Sequence, residues 1–228
     1  MTVNAEEDAV SGASQASYTD PKETKEAYDI VIVGAGGTGM AAAIQAKTEG
    51  KDVAIFEMMP IAGGNTPKSS GGMNASETKF QKEQGIEDSN DLFYEDTFKG
   101  GHEANDSELL RYLVNDSAEA IDWLDSLGIR LNNISFSGGA SVKCIHHPED
   151  GSAVGQYLVS GLLRNIGELK IPLFVNSEVT EFLVENDQVT GIKVKVEGQE
   201  KTIQSKTVIV TTGGFGANSE MIENYVQT

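Results

Sequence analysis

YDIVIVGAGGTGMAAAIQAKTEGKDVAIFE, residues 28–57, packs a strand, a glycine turn, a helix and a second strand into one continuous stretch. YDIVIVG is a short apolar, β-branched run, the pattern of a parallel strand buried on both faces. Gly34 to Gly39 make the turn. MAAAIQAKTEG follows as a helix with small residues toward the sheet. It stops at Gly50, since glycine accepts the left-handed backbone of a helix C-terminus at little cost. DVAIFE is a second buried strand ending on Glu57. This is a βαβ unit, and it predicts an α/β fold built on a parallel, Rossmann-like sheet.

Gly34-Ala35-Gly36-Gly37-Thr38-Gly39 matches GxGxxG in the context that gives the motif meaning. Gly34 permits the tight turn, Gly36 lets the backbone approach a pyrophosphate, and Gly39 lets helix and strand pack closely. The helix N-terminus then offers its N–H groups and positive dipole end to phosphates. Glu57 closes the second strand about 20 residues on, where a carboxylate can accept the hydroxyl hydrogens of an adenosine ribose. Together these features predict dinucleotide binding.

Outward from this unit, MMPIAGGNTPKSSGGMNAS, residues 58–76, reads as one long Gly/Ser/Asn loop. Loops of that length inside a compact domain are usually functional or disordered, and its glycines suggest backbone running close to a large flat ligand. Residues 88–100, 106–127 and 152–166 read as helices, the second with apolar residues near helical spacing. Residues 172–205 alternate apolar and polar positions, with turn signals near Asn186-Asp187 and Gly198-Gln199, which predicts a β-meander. KTVIVTTGGFG, residues 206–216, reads as a last buried strand running into a glycine turn. A meander followed by such a strand is the arrangement of two-dinucleotide-binding flavoproteins, and it favours FAD over NAD.

Composition sets outer limits. The chain has 228 residues, 35 acidic and 17 basic, for a net charge of −18. That balance argues against nucleic acid or an anionic membrane surface as partner. No apolar run approaches the ~18 residues of a membrane span. One cysteine excludes an internal disulfide, and the absence of CxxCH excludes covalent c-type haem attachment. Residues 1–27 are acidic, rich in Ala and Ser, and read as a disordered tail or linker. Cys144, His146 and His147 form CxHH, but His102 is the only other histidine, so no metal site is expected. No signal peptide is visible, which points to the cytoplasm unless an export signal has been removed.

GAGGTGMAAAIQA, FEMMPIAGGNTPKSSGGMNA, SGGASVKCIHHPEDGSAVG and VIVTTGGFGANSEM together resemble the soluble fumarate reductase flavoproteins, the family of flavocytochrome c and urocanate reductase. The first and last motifs are shared with L-aspartate oxidase and 3-ketosteroid dehydrogenase; the middle two are narrower. The resemblance runs from Tyr28 to the end and implies one FAD-binding domain over 28–228. It would place the pyrophosphate at Ala35, Gly36, Gly37, Thr38 and Gly39, and the ribose on Glu57. Asn65, Thr66, Ser70, Gly71 and Gly72 would line the flavin, with Gly71 and Gly72 also near the substrate. Val179 would meet the adenine through its backbone, and Thr211, Thr212 and Gly213 would close over the cofactor.

The departures from the family pattern are informative. Membrane-bound relatives attach FAD through a histidine in the glycine loop, whereas residues 61–76 contain none, so noncovalent FAD is expected. The family commonly has lysine where this chain has Met58. In the family, a mobile capping domain and a C-terminal return to the FAD domain follow the region matched here. They carry the proton-donating Arg and the residues that clamp substrate carboxylates. No catalytic residue is therefore assigned within the chain, and a missing C-terminal half, in cis or in trans, is expected. The implied reaction is reduction of the C=C bond of fumarate to succinate by hydride from reduced FAD, with electrons from an external donor such as an FMN-binding domain or a flavin reductase. Alternatives on the same scaffold are urocanate, a cinnamate-like acid, a ketosteroid or aspartate as substrate, or a non-catalytic FAD-binding subunit of a split enzyme.

Overall fold

The computed structural model describes residues 18–225. In chain order its elements are β1 (Ala27–Val33), α1 (Gly37–Thr48), β2 (Val53–Phe56), β3 (Met73–Asn74), α2 (Lys79–Glu83), α3 (Asn90–Gly100), α4 (Ser107–Ser126), β4 (Asn133–Phe136), β5 (Lys143–His147), α5 (Val154–Glu168), β6 (Leu173–Phe174), β7 (Ser177–Glu185), β8 (Gln188–Val196), β9 (Gln199–Val210) and α6 (Ser219–Tyr225). They fall into two compact units. One comprises the residues up to Gly64 and from Leu163 onward; the other is Asn65–Leu162.

The first unit is built on a six-stranded sheet in the order β6-β2-β1-β9-β8-β7. Strands β6, β2, β1 and β9 are parallel, and β7, β8 and β9 form the antiparallel meander. β1 and β2 read as apolar runs because both faces are covered; every residue of β2 is buried. Phe56 stacks on Phe174 at 5.1 Å between ring centroids and meets Tyr28 edge-on at 6.3 Å. α1 buries the small residues Gly39, Ala43 and Ala46, as anticipated for a helix lying close to a sheet, but also the large Met40 and Ile44.

Several expectations for this unit need correction. The meander's third strand and the last apolar strand are one element: β9 pairs with β8 over Gln199–Gln204 and with β1 over Gln204–Val210. Its second half is less buried than expected for a parallel strand: Val210 is 56% exposed. Residues 173–174, read as the start of the meander, instead extend the parallel sheet as β6. The second hairpin turn is Glu197-Gly198, one residue earlier than anticipated, with both residues at positive φ.

The expected tail also shortens. Residues 1–17 lie outside the described residues, but 18–27 are bonded into the fold. Thr19 N donates to Leu173 O and Leu173 N donates to Thr19 Oγ1, each at 2.9 Å. Asp20 caps the short 3-10 turn Pro21–Glu23, and Lys25 pairs with Asp52. An edge strand leaves backbone donors and acceptors open. This segment fills those of Leu173 with one main-chain bond and one bond to the Thr19 hydroxyl, which hydrophobicity does not report.

The second unit carries a three-stranded antiparallel sheet, β3-β5-β4. α3 and α4 pack through Phe93, Leu110 and Val114. α3 and α4 start on Ser89 and Asp106, whose side chains accept from N–H groups of the first turn. The stretch 58–76 is not one loop: it contains the 3-10 turn Thr66–Lys68 and ends in β3. No helix among the described residues is long and apolar enough to cross a membrane.

Candidate dinucleotide site

In the first unit the three motif glycines hold three different positions. Gly34 has φ +103, and a Cβ there would lie 2.7 Å from Thr211 O. A Cβ on Gly39 would overlap Gly34 O and come within 2.6 Å of Thr211 Oγ1. Around Gly36 the nearest atom to such a Cβ is Gly63 O at 4.0 Å, so that side stays open to a ligand. Gly36 is also the extended N-cap of α1 and provides no side-chain cap. The positive end of the helix dipole therefore meets whatever lies in front of the turn.

Glu57 follows β2 and is buried to 6% exposure. Its Oε2 accepts from Ala35 N at 2.7 Å and its Oε1 from Met59 N at 2.9 Å. Its own N donates to Phe174 O, and its O accepts from Ser177 N, both at 2.8 Å. A carboxylate has about four acceptor sites, so two remain open to the hydroxyls of a ligand while the other two tie the acid to the glycine turn at Ala35 and to its own following loop at Met59. Thr211 supports the same turn from β9: its N donates to Val33 O, and its hydroxyl lies 2.9 Å from Val33 O and Gly34 O. Thr212 and Gly213 are exposed beyond it, Gly213 at φ +76. Val179 is half-buried on β7, opposite Val194 and beside a register shift.

Gly63 and Gly64 pack back onto the motif. Gly63 N donates to Ala35 O at 2.8 Å, and Gly63 bridges Gly36. Gly64, at φ +56, would bring a Cβ within 3.4 Å of Gly36 Cα. Just upstream, Ala62 N donates to Tyr18 Oη at 3.1 Å, a tie that sequence reasoning missed because Tyr18 reads as part of a tail.

In the second unit the residues assigned to the flavin form one continuous loop. Asn65 caps the 3-10 turn, and its Oδ1 accepts from Lys68 Nζ at 3.0 Å. The loop is anchored on the start of α5: Gly155 N donates to Ser69 O at 3.2 Å and Val154 N to Gly71 O at 3.3 Å. A Cβ on Gly155 would overlap Thr66 O, and a Cβ on Gly72 would overlap His146 O. Ser70 and Gly71 are exposed, and nothing lies within 4 Å of a Cβ built on Gly71. Gly155 and His146 are the supports that sequence reasoning did not assign. Gly155 carries a faint signal, a glycine inside the first turn of a helix, where alanine would be the better helix former.

The CxHH segment holds no metal cluster, and none occurs among the described residues. Cys144 is buried, which pushes its thiol pKa up. The His147 ring bonds Ser135 Oγ at 2.8 Å. The cradle of the first unit fits the ADP half of a dinucleotide, and the bare backbone at Ser70-Gly71 fits a flat ring.

Residues 29–228 match the family model for the FAD binding domain. The NADH:fumarate oxidoreductase of Klebsiella pneumoniae (strain 342) is 50% identical over 201 residues, which cover 88% of this chain and 22% of that protein. A fumarate reductase (cytochrome) of Shewanella frigidimarina is 38% identical over 200 residues, covering 86% and 35%. The open conformation of a flavocytochrome c3 fumarate reductase superposes with a TM-score of 0.84 at 37% identity, covering 90% of this chain and 37% of that one. The chain thus spans about a fifth to a third of the length of the curated relatives it matches.

Proposed function

The chain belongs to the FAD-binding-domain family, and from that premise we propose that it is the FAD-binding part of a flavoprotein that reduces fumarate to succinate. The observation that carries the FAD reading is the buried Glu57 carboxylate, tied to Ala35 N beside the uncapped start of α1. The fumarate reading is supported by the two relatives whose names specify that substrate and by the exposed Gly71 of the second unit.

Bound and reduced, FAD supplies a hydride for one alkene carbon of an activated C=C bond. The chain's own residues bind and orient. α1 directs its dipole at the pyrophosphate, Glu57 takes the ribose hydroxyls, and the loop from Asn65 to Gly72 presents backbone to the flavin. Gly71 presents no side chain and nothing fills the space of one, so a dicarboxylate can approach its backbone. A proton for the second carbon and an electron donor come from outside these residues.

The test is a chimera in which residues 28–228 replace the matching segment of the Klebsiella oxidoreductase. Reduction of fumarate and of urocanate by reduced viologen is assayed in parallel. The expected result is a flavin-loaded protein that reduces fumarate. A flavin-loaded chimera that prefers urocanate selects the alternative substrate, and one that reduces neither overturns the proposal.

A further inference from the structure

His146 is fully buried on β5, at 0% exposure. Desolvation pushes its pKa below the usual histidine value, so the ring is neutral. Nδ1 lies 2.9 Å from Cys144 O, a pure acceptor, and therefore carries the proton. Nε2 then accepts, and Thr78 Oγ1, 2.8 Å away, donates to it. Thr78 Oγ1 in turn accepts from Gln81 N at 3.1 Å, in the capping box that starts α2.

The same residue touches the glycine loop through its backbone. It pairs with Met73 in the β3–β5 register, and its carbonyl occupies the space a Gly72 side chain would need. Between these two points the chain makes a strained turn, with Glu77 at φ +56. A non-glycine residue in that region persists only where its surroundings hold it. His146 thus grips the segment 72–78 at both ends, the main chain at Gly72-Met73 and the ring at Thr78.

We propose that His146 is a positioning residue for the flavin loop, which fixes Gly71 and Gly72 by clamping the segment 72–78 at both of its ends. The proposal rests on the reading of Gly71 and Gly72 as flavin-lining. The ring makes no contact with cofactor or substrate; it acts through Thr78 and β3.

The test compares the wild-type chain with His146→Leu, which keeps volume and loses both ring bonds, and His146→Gln, whose amide reaches the Nε2 position. Hydrogen exchange across residues 70–78 reads the clamp without any cofactor. FAD affinity and the visible circular dichroism of bound flavin read its consequence. In His146→Leu, exchange should rise at least tenfold, FAD should bind at least tenfold more weakly, and the flavin signal should change. His146→Gln should recover affinity to within about threefold of wild type. Thr78→Val, which removes the partner of Nε2 and with it the acceptor for Gln81 N, should move all three readouts in the same direction and serves if His146→Leu does not fold. A folded His146→Leu or Thr78→Val protein with wild-type exchange in this segment overturns the proposal. So does loosened exchange with unchanged FAD affinity and flavin signal. A wild-type chain that takes up no FAD overturns the flavin reading instead, and the exchange measurement still decides the clamp.

Discussion

Glu57 holds the glycine turn through Ala35 N, and under the proposed reading its remaining lone pairs take the ribose hydroxyls. Charge-assisted bonds of this kind contribute roughly 1.5–3 kcal/mol each before water compensates. Glu57→Ala should therefore weaken FAD at least tenfold in a titration followed by flavin fluorescence; a change below about threefold would show that ribose is held elsewhere. The attachment chemistry is also decided residue by residue. Residues 61–76 contain no His, Cys or Tyr to bond the isoalloxazine ring. His146, whose carbonyl meets Gly72, has its ring buried and both nitrogens engaged. Acid precipitation of flavin-loaded protein should leave the yellow colour in the supernatant, and colour in the pellet would contradict noncovalent binding.

At the level of elements, hairpin chemistry makes a clean prediction. Glu197 and Gly198 both sit at positive φ, +50 and +79, the geometry of a two-residue type I′ turn between β8 and β9. Glutamate tolerates that backbone poorly, whereas asparagine favours it. Glu197→Asn should raise stability by roughly 0.5–1 kcal/mol, about 1–4 °C in Tm for a chain of this size. FAD affinity should stay unchanged; a lower Tm would refute the turn assignment. The turns and the βαβ unit were legible in the sequence because their signals lie close together along the chain. GxGxxG sits between the strand and the helix it joins, and the acid closes the strand that follows them. The β3-β5-β4 sheet was not legible, since strands of two to five residues are too short to show an alternation. The double pairing of β9 was hidden for another reason. Its sequence turns apolar only over its last three residues, Val208 to Val210, and the identity of its neighbours is set by tertiary registry. His146 reads as a lone histidine in CxHH, and only the fold brings Thr78 and Gly72 to it.

Across the whole chain, charge and pairing bear on what these residues can catalyse by themselves. Fumarate is a dianion, and a net charge of −18 opposes its approach unless cations converge locally. Alkene reduction also needs a proton donor within reach of the developing carbanion. The sequence has three arginines, Arg111, Arg130 and Arg164. Arg111 pairs with Asp91 at 2.8 Å and stacks on Tyr94, Arg130 faces Asp125 over the Phe80 ring, and Arg164 faces Glu168 one helical turn along α5. Lys68, the cation of the glycine loop, is held by Asn65 Oδ1. His146 is neutral and buried, so it neither attracts a carboxylate nor delivers a proton to the loop surface. The chain supplied with excess FAD and dithionite-reduced viologen should accordingly form no succinate above the buffer control. Turnover on the order of 1 s⁻¹ or more, ordinary for an enzyme, would require one of these committed groups to leave its partner and serve as the proton donor. Substituting Arg111, Arg130, Arg164 and Lys68 one at a time would then identify which.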